Sequence, residues 1–231
     1  SPEFTILILR VTDAMIWIGT LAIFFGAVMA LSQKDYKRML SYIVIAEIGY
    51  IIGGIGVANT TALKGAIFHI VNDALMVACL FSVAGLVMHK THGHRIDDFK
   101  GIFRNMPITA VVFTVGALAV IGVPPTCGFF SKWYLLLGGI KAGQWAFVTA
   151  LLVSTLINVA LFFKIFDRGL YVHGQHTEPY GVRPGYSHNS LEAPLSMLLP
   201  AVVLALAILL VGIFNQAIIN NLIGYAVPSG L

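Results

Sequence analysis

Six stretches of this chain are apolar for long enough, or nearly long enough, to cross a lipid bilayer, and polar breaks separate them. A spanning helix needs roughly 20 mainly apolar residues. Residues 11–31, 39–58, 62–88, 107–123, 145–166 and 194–214 fit that description, and a short helical stretch, 128–137, follows Pro124-Pro125. Lipid demands that each spanning segment satisfy its own backbone, so runs of this length read as helices. Residues AVILMFWYC make up 58 % of the chain and charged residues only 10 %, against about 25 % charged in soluble domains. The fold class that follows is all-α: a polytopic transmembrane bundle of about six spans, with one broken helix after Pro124-Pro125. Residues 1–231 read as a single membrane domain in contact with membrane lipids.

The breaks set the orientation. Lys34, Lys37 and Arg38 fall in loop 32–38, and Lys90, Arg95, Lys100 and Arg104 in loop 89–106, two crossings later. Both loops therefore face one side, and an excess of Lys and Arg marks that side as the cytoplasm of a cell (inner) membrane. Lys164, Arg168 and Arg183 form a third basic cluster. It reaches the same side if 128–166 makes one crossing broken at Gly138-Gly139-Ile140-Lys141-Ala142-Gly143, which is the arrangement expected here. Roughly 40 residues are too long for one straight span. The chain opens abruptly at Ser1-Pro2-Glu3-Phe4 and reads as the C-terminal half of a longer subunit.

Other chemistries find little support. The net charge of +4 is small and scattered, which gives no footprint for nucleic acid. Cys79 and Cys127 lie in separate apolar stretches, as small packing residues do. His89, His92 and His94 cluster around Gly93 in a polar loop, where solvation is the simpler reading than metal binding. Asn59-Thr60-Thr61 matches a glycosylation sequon, a common chance match, and Gly49-xxx-Gly53 permits close helix packing. The sequence holds no phosphate-cradling glycine loop, nucleophile elbow or CxxC pair, so no cofactor, metal or catalytic centre is expected.

Ionisable groups inside the spans carry the functional signal, because each costs about 2.5–3.5 kcal/mol to insert and such groups mark ion or proton routes. Glu47 lies mid-way along the second span, His69 and Asp73 four residues apart on the third, and Lys132 just after the double proline. The spacing of four places His69 and Asp73 on one helix face. Broken backbone within a membrane is tolerated where it lines protein or a water cavity, which makes Lys132 a site candidate. Lys64, at a helix end, and Lys141, in the glycine stretch, are further candidates.

Three blocks then resemble a known family. Lys34-Asp35-Tyr36-Lys37-Arg38-Met39-Leu40-Ser41-Tyr42, followed by Glu47-Ile48-Gly49-Tyr50, resembles the D-x-K-R-x-L-x-Y…I-G-Y signature of antiporter-like membrane subunits. These occur in respiratory complex I (NADH:quinone oxidoreductase), Mrp-type Na⁺/H⁺ antiporters and membrane-bound hydrogenases. Phe68-His69-Ile70-Val71-Asn72-Asp73-Ala74-Leu75 is similar to the family's F-H-x-x-x-H-A-L helix. Met106-Pro107-Ile108-Thr109 with Gly122-Val123-Pro124-Pro125-Thr126-Cys127-Gly128-Phe129-Phe130-Ser131-Lys132 resembles its M-P-x-T…G-x-P-P-x-x-G-F-x-S-K block.

The resemblance implies a proton channel built on broken helices, with His69 at the family's first histidine and Lys132 at its lysine on the broken helix. It also implies sister antiporter-like subunits and small membrane subunits as partners, with H⁺ or Na⁺ as the transported ion. The sequence departs from the pattern at three positions. Asp73 replaces the second histidine, Val77 the usual lysine of that helix, and Glu47 a common histidine or glutamine. The expected relay is therefore His69, Asp73 and Lys132, with Asp73 and Lys132 approaching through water. Two rival readings are a structural subunit that has lost conduction, and an unrelated secondary transporter with a substrate-sized cavity beside Gly138–Gly143.

Overall fold

A computed structural model describes residues 2–170 and 192–224, with side chains described from residue 11 onward and that of Leu222 left out. The helices are α1 (Pro2–Ser32), α2 (Tyr36–Gly56), α3 (Thr60–Thr91), α4 (Ile102–Asn105), α5 (Pro107–Ile121), α6 (Cys127–Lys141), α7 (Trp145–Leu170), α8 (Leu195–Ile213) and α9 (Asn215–Ile218). A short 3₁₀ turn, Ile96–Phe99, precedes α4, and a π turn, Ile219–Ile223, follows α9. Five helices are long and apolar enough to cross a membrane: residues Val11–Ser32 of α1, then α2, α3, α7 and α8.

One end of the bundle is held together by its polar loops. Asp35 and Arg95 form an antiparallel bridge, with Tyr36 N–H donating to the His94 carbonyl at 3.0 Å and Ile96 N–H to the Lys34 carbonyl at 2.9 Å. Asp35 also caps α2 through its side chain, which accepts from Arg38 N–H. The end of α7 joins the same face, since Gly101 N–H donates to the Arg168 carbonyl at 3.0 Å and Arg168 Nη1 lies 2.8 Å from Asp97 Oδ1. Loops 32–38 and 89–106 thus share one side, as expected, and Arg168 joins them. Arg183 lies outside the described residues.

That shared side is reached by a different path from the one expected. The helix runs straight through Gly138 and Gly139 to Lys141, and the chain turns only at Ala142–Gln144, where Gly143 adopts φ +68°. Gly138 and Gly139 are packing glycines: a side chain at 138 would collide with Ala62, and one at 139 with Val148 and Phe147. The break inside the membrane lies at Gly122–Thr126 instead. Gly122 sits at φ +87°, where its N–H closes the end of α5 on the Leu118 and Ala119 carbonyls. Pro124 and Pro125 then supply no N–H with which to continue.

At 15 residues each, α5 and α6 are about 22 Å long, short of the roughly 30 Å hydrocarbon core. Helix α5 starts at the loop-bearing end, and α6 finishes at the other, where Asn59 Nδ2 donates to the Gly138 carbonyl at 2.8 Å and Lys141 Nζ to Thr61 Oγ1 at 3.1 Å. Together they make one broken crossing, and α7 makes the next as an unbroken helix.

Small residues let the helices approach. A Cβ on Gly49 would stand 2.7 Å from the Gly19 carbonyl oxygen, so the Gly49/Gly53 face of α2 receives α1 backbone to backbone. Asn59 of the sequon match has a structural role: its side chain caps α3 by accepting from Ala62 N–H at 2.8 Å. Cys79 and Cys127 are buried free thiols in the core. His92 closes α3 in the left-handed conformation, and His94 Nε2 lies 3.5 Å from Asp35 Oδ2.

Candidate functional site

Three of the four expected pathway residues meet at the break. Glu47, on α2, is fully buried, as is His69 on α3, and Lys132 on α6 is 5 % exposed. Glu47 presents one carboxylate oxygen to each base: Oε1 lies 3.1 Å from Lys132 Nζ, and Oε2 lies 2.9 Å from His69 Nε2. The first contact is a hydrogen bond; the second meets off the axis of one. A buried carboxylate is tolerable only when charge and hydrogen bonds compensate it, and here two helices supply that compensation.

The broken helix explains why a lysine belongs here. The last four carbonyls of any helix lack an intrahelical partner. Gly122 and Val123 N–H groups occupy those of Leu118 and Ala119, and Lys132 Nζ donates to that of Val120 at 2.5 Å. Helical side chains lean toward their N-terminus, so Lys132 reaches back along α6 to the end of α5. The ammonium thereby meets the negative end of the α5 dipole as well as Glu47.

Sequence reading missed the groups that surround this triad. Tyr50, one turn after Glu47, is fully buried; its ring lies 4.9 Å from Lys132 Nζ and 5.5 Å from the His69 ring. The Tyr50 hydroxyl donates to Ser154 Oγ on α7 at 2.7 Å, which fixes the ring beneath the ammonium in a cation–π contact. Ser131 Oγ lies 2.9 Å from His69 Nδ1. Asn72 Nδ2 donates to the Cys127 carbonyl at 2.9 Å, tying α3 to the first residue of α6. Tyr50 and Ser131 stand inside the family-like blocks, so their spacing from Glu47 and Lys132 was a usable signal. Ser154 carried none.

Asp73 makes no direct contact with the other three. No ion pair joins it to Lys132 or His69 among the described residues, and its Oδ1 is buried without a hydrogen-bond partner. It stands on the flank of α3, half-buried, beside the outward-facing Ile70 and Val71. The direct partner of His69 and Lys132 is Glu47. Of the further candidates, Lys64 is half-buried in the first turns of α3, and Lys141 caps the far end of α6 through Thr61. Neither touches the triad.

Comparison with known proteins gives this geometry a context. The chain is 44 % identical over 216 residues to NADH-quinone oxidoreductase subunit N of Desulforudis audaxviator, covering 92 % of this chain and 43 % of that one. It is 33 % identical over 158 residues to a Na(+)/H(+) antiporter subunit of Alkalihalophilus pseudofirmus, covering 68 % of this chain and 32 % of that one. It thus spans less than half the length of these curated relatives. Among solved structures, the Mrp complex of Dietzia sp. shares the fold, with a TM-score of 0.79 at 20 % identity over 91 % of this chain and 46 % of that one. An archaeal membrane-bound sulfane sulfur reductase matches with a TM-score of 0.77 at 25 % identity, over 91 % of this chain and 41 % of that one. The family described as "NADH:quinone oxidoreductase/Mrp antiporter, TM" matches residues 3–158. By sequence and fold, the chain belongs to that family.

Proposed function

We propose that this chain is the proton- or cation-translocating part of a membrane subunit in a larger complex: a complex I-like NADH:quinone oxidoreductase, an Mrp-type antiporter or a membrane-bound hydrogenase. The single observation that carries this reading is the buried Glu47 carboxylate, shared between His69 and Lys132 at a break in a helix. Three titratable groups from three helices in contact provide a site where a proton can be taken up and passed on. Lys132 acts as the charge whose position responds to Glu47, His69 as the neighbouring proton carrier, and Asp73 as the acid one turn further along α3. The subunit has no catalytic centre of its own. It sits in the cell membrane with loops 32–38 and 89–106 in the cytoplasm, beside sister antiporter-like subunits, small membrane subunits and lipid.

An ion pair alone would also serve a purely structural subunit. What favours conduction is the polarity beyond the pair: His69 continues to Ser131, and buried oxygens of Asn72 and Asp73 on the same helix lack partners. A packing device has no use for these groups, whereas water entering beside them would meet hydrogen-bonding partners. The unrelated-transporter reading expected a cavity at Gly138–Gly143, but Ala62, Phe147 and Val148 fill the space beside Gly138 and Gly139. A groove of about 480 Å³ lies instead on the outer face between α1 and α7, lined by residues such as Leu21, Phe24 and Val153.

The test uses the full-length subunit in its complex, in sealed inverted membrane vesicles. Lys132→Met assembles and loses proton translocation. Wild-type translocation in that variant overturns the reading.

A further inference from the structure

Ser131 is fully buried beside Lys132, and its hydroxyl has two neighbours. His69 Nδ1 lies 2.9 Å away and the Gly128 carbonyl oxygen 3.2 Å away. A hydroxyl carries one hydrogen and two lone pairs, while a carbonyl only accepts. The other ring nitrogen of His69 lies 2.9 Å from a Glu47 carboxylate oxygen, off the axis of a hydrogen bond; an ionised carboxylate there favours a hydrogen on Nε2. That leaves Nδ1 as the atom where a proton comes and goes.

The two states of Nδ1 ask opposite things of Ser131. In the neutral ring Nδ1 is an acceptor, and Ser131 must donate to it, leaving the Gly128 carbonyl. In the imidazolium Nδ1–H is a donor; Ser131 Oγ accepts from it and turns its own hydrogen to Gly128. One proton is added to the ring, the hydroxyl keeps its single hydrogen, and the Ser131–Nδ1 hydrogen bond is kept in both states. We propose that Ser131 is a positioning residue whose hydroxyl turns between His69 Nδ1 and the Gly128 carbonyl, so that His69 can gain and lose a proton at Nδ1 while keeping its hydrogen bond to Ser131. This rests on the reading of His69 as a proton carrier. The titratable and charged groups around His69 are Glu47 and Tyr50 on α2 and Lys132 on α6, with Asp73 one turn along α3 on its flank; of these Glu47 touches a ring nitrogen.

Loss of the hydroxyl strands the charged ring more than the neutral one, because hydrogen bonds from an ionised donor are about twice as strong. Ser131→Ala therefore disfavours the protonated ring. In sealed inverted vesicles carrying the complete complex, translocation by Ser131→Ala falls about tenfold at neutral pH, the size of one lost buried hydrogen bond. Its pH profile moves toward acid, and Ser131→Thr, which keeps the hydroxyl, restores both rate and profile. A wild-type profile in Ser131→Ala, or a slower rate with the profile unmoved, overturns the proposal. Lys132→Met measured alongside separates the two readings. If it abolishes translocation while Ser131→Ala keeps the wild-type profile, the role of Ser131 falls and the proton path stands. If Lys132→Met translocates normally, both fall. Should Ser131→Ala fail to assemble, Ser131→Cys retains the size with a far weaker donor; an acid-shifted profile supports the proposal and an unshifted one overturns it.

Discussion

Lys132 and Glu47, 85 residues apart in sequence, meet at 3.1 Å where the end of α5, the middle of α2 and the first turns of α6 converge. Neither group is stable there without the other. Glu47→Gln or Lys132→Met alone leaves a buried charge uncompensated, and each lowers stability by about 3–5 kcal/mol. The double variant costs less than the sum of the two by roughly 1–3 kcal/mol. Thermal unfolding of the four proteins, purified in detergent as the full-length subunit, gives this coupling; additive losses would show that the two charges do not sense each other.

Asp73 behaves in the opposite way. With no ion pair among the described residues and one oxygen unpartnered, it has little folding energy to lose. Asp73→Asn keeps stability within about 0.5 kcal/mol, the range of substitutions that break no contact, while proton translocation is lost. Unfolding and vesicle transport on one preparation measure both. Normal pumping by Asp73→Asn removes this residue from the path.

Tyr50→Phe separates two roles of one ring. The phenyl still lies under Lys132, but the hydrogen bond to Ser154 is gone. A buried hydrogen bond is worth about 1 kcal/mol net, and the unpaired Ser154 hydroxyl adds to the loss, so stability falls by about 1–3 kcal/mol. Ser154→Ala gives a loss of similar size, and the double variant little more, as measured by unfolding midpoints.

At the loop-bearing end, Glu192 caps α5 from 84 residues away: Oε1 accepts from Ile108 N–H at 2.5 Å and Oε2 from Thr109 Oγ1 at 2.8 Å. The carboxylate satisfies amides that α5 leaves open and faces the positive end of its dipole. Glu192→Ala costs about 0.5–2 kcal/mol, and Glu192→Gln, which can still accept, costs less. Equal unfolding midpoints for the two variants would mean that the acceptor oxygens contribute nothing here, and a wild-type midpoint in Glu192→Gln that the negative charge contributes nothing.

The sequence carried most of the crossings and which polar loops share one end, because length, apolarity and the placement of Lys and Arg are local properties of the chain. It also carried Glu47, His69 and Lys132, because a charge in an apolar run is conspicuous wherever it lies. What it did not carry is which charges touch. Asp73 shares a helix face with His69, yet Glu47 on the neighbouring helix is the direct partner, since helix rotation and packing decide contact and spacing does not. The glycines 138 and 139 misled for a related reason: glycine breaks a helix only where φ turns positive, as at Gly122 and Gly143, and elsewhere it lets a neighbour come close. Ser154 was invisible because a serine in an apolar helix has no pattern until Tyr50 arrives from another part of the chain.

The Val120 carbonyl adds a constraint of a different kind. Lys132 is at once the counter-ion of Glu47 and the donor that closes α5. Removing its charge opens a backbone terminus, and re-closing that terminus with an uncharged donor strands the carboxylate. No substitution at position 132 alters the electrostatics alone, so the protein keeps its ion and its architecture on the same side chain and must change them together or not at all.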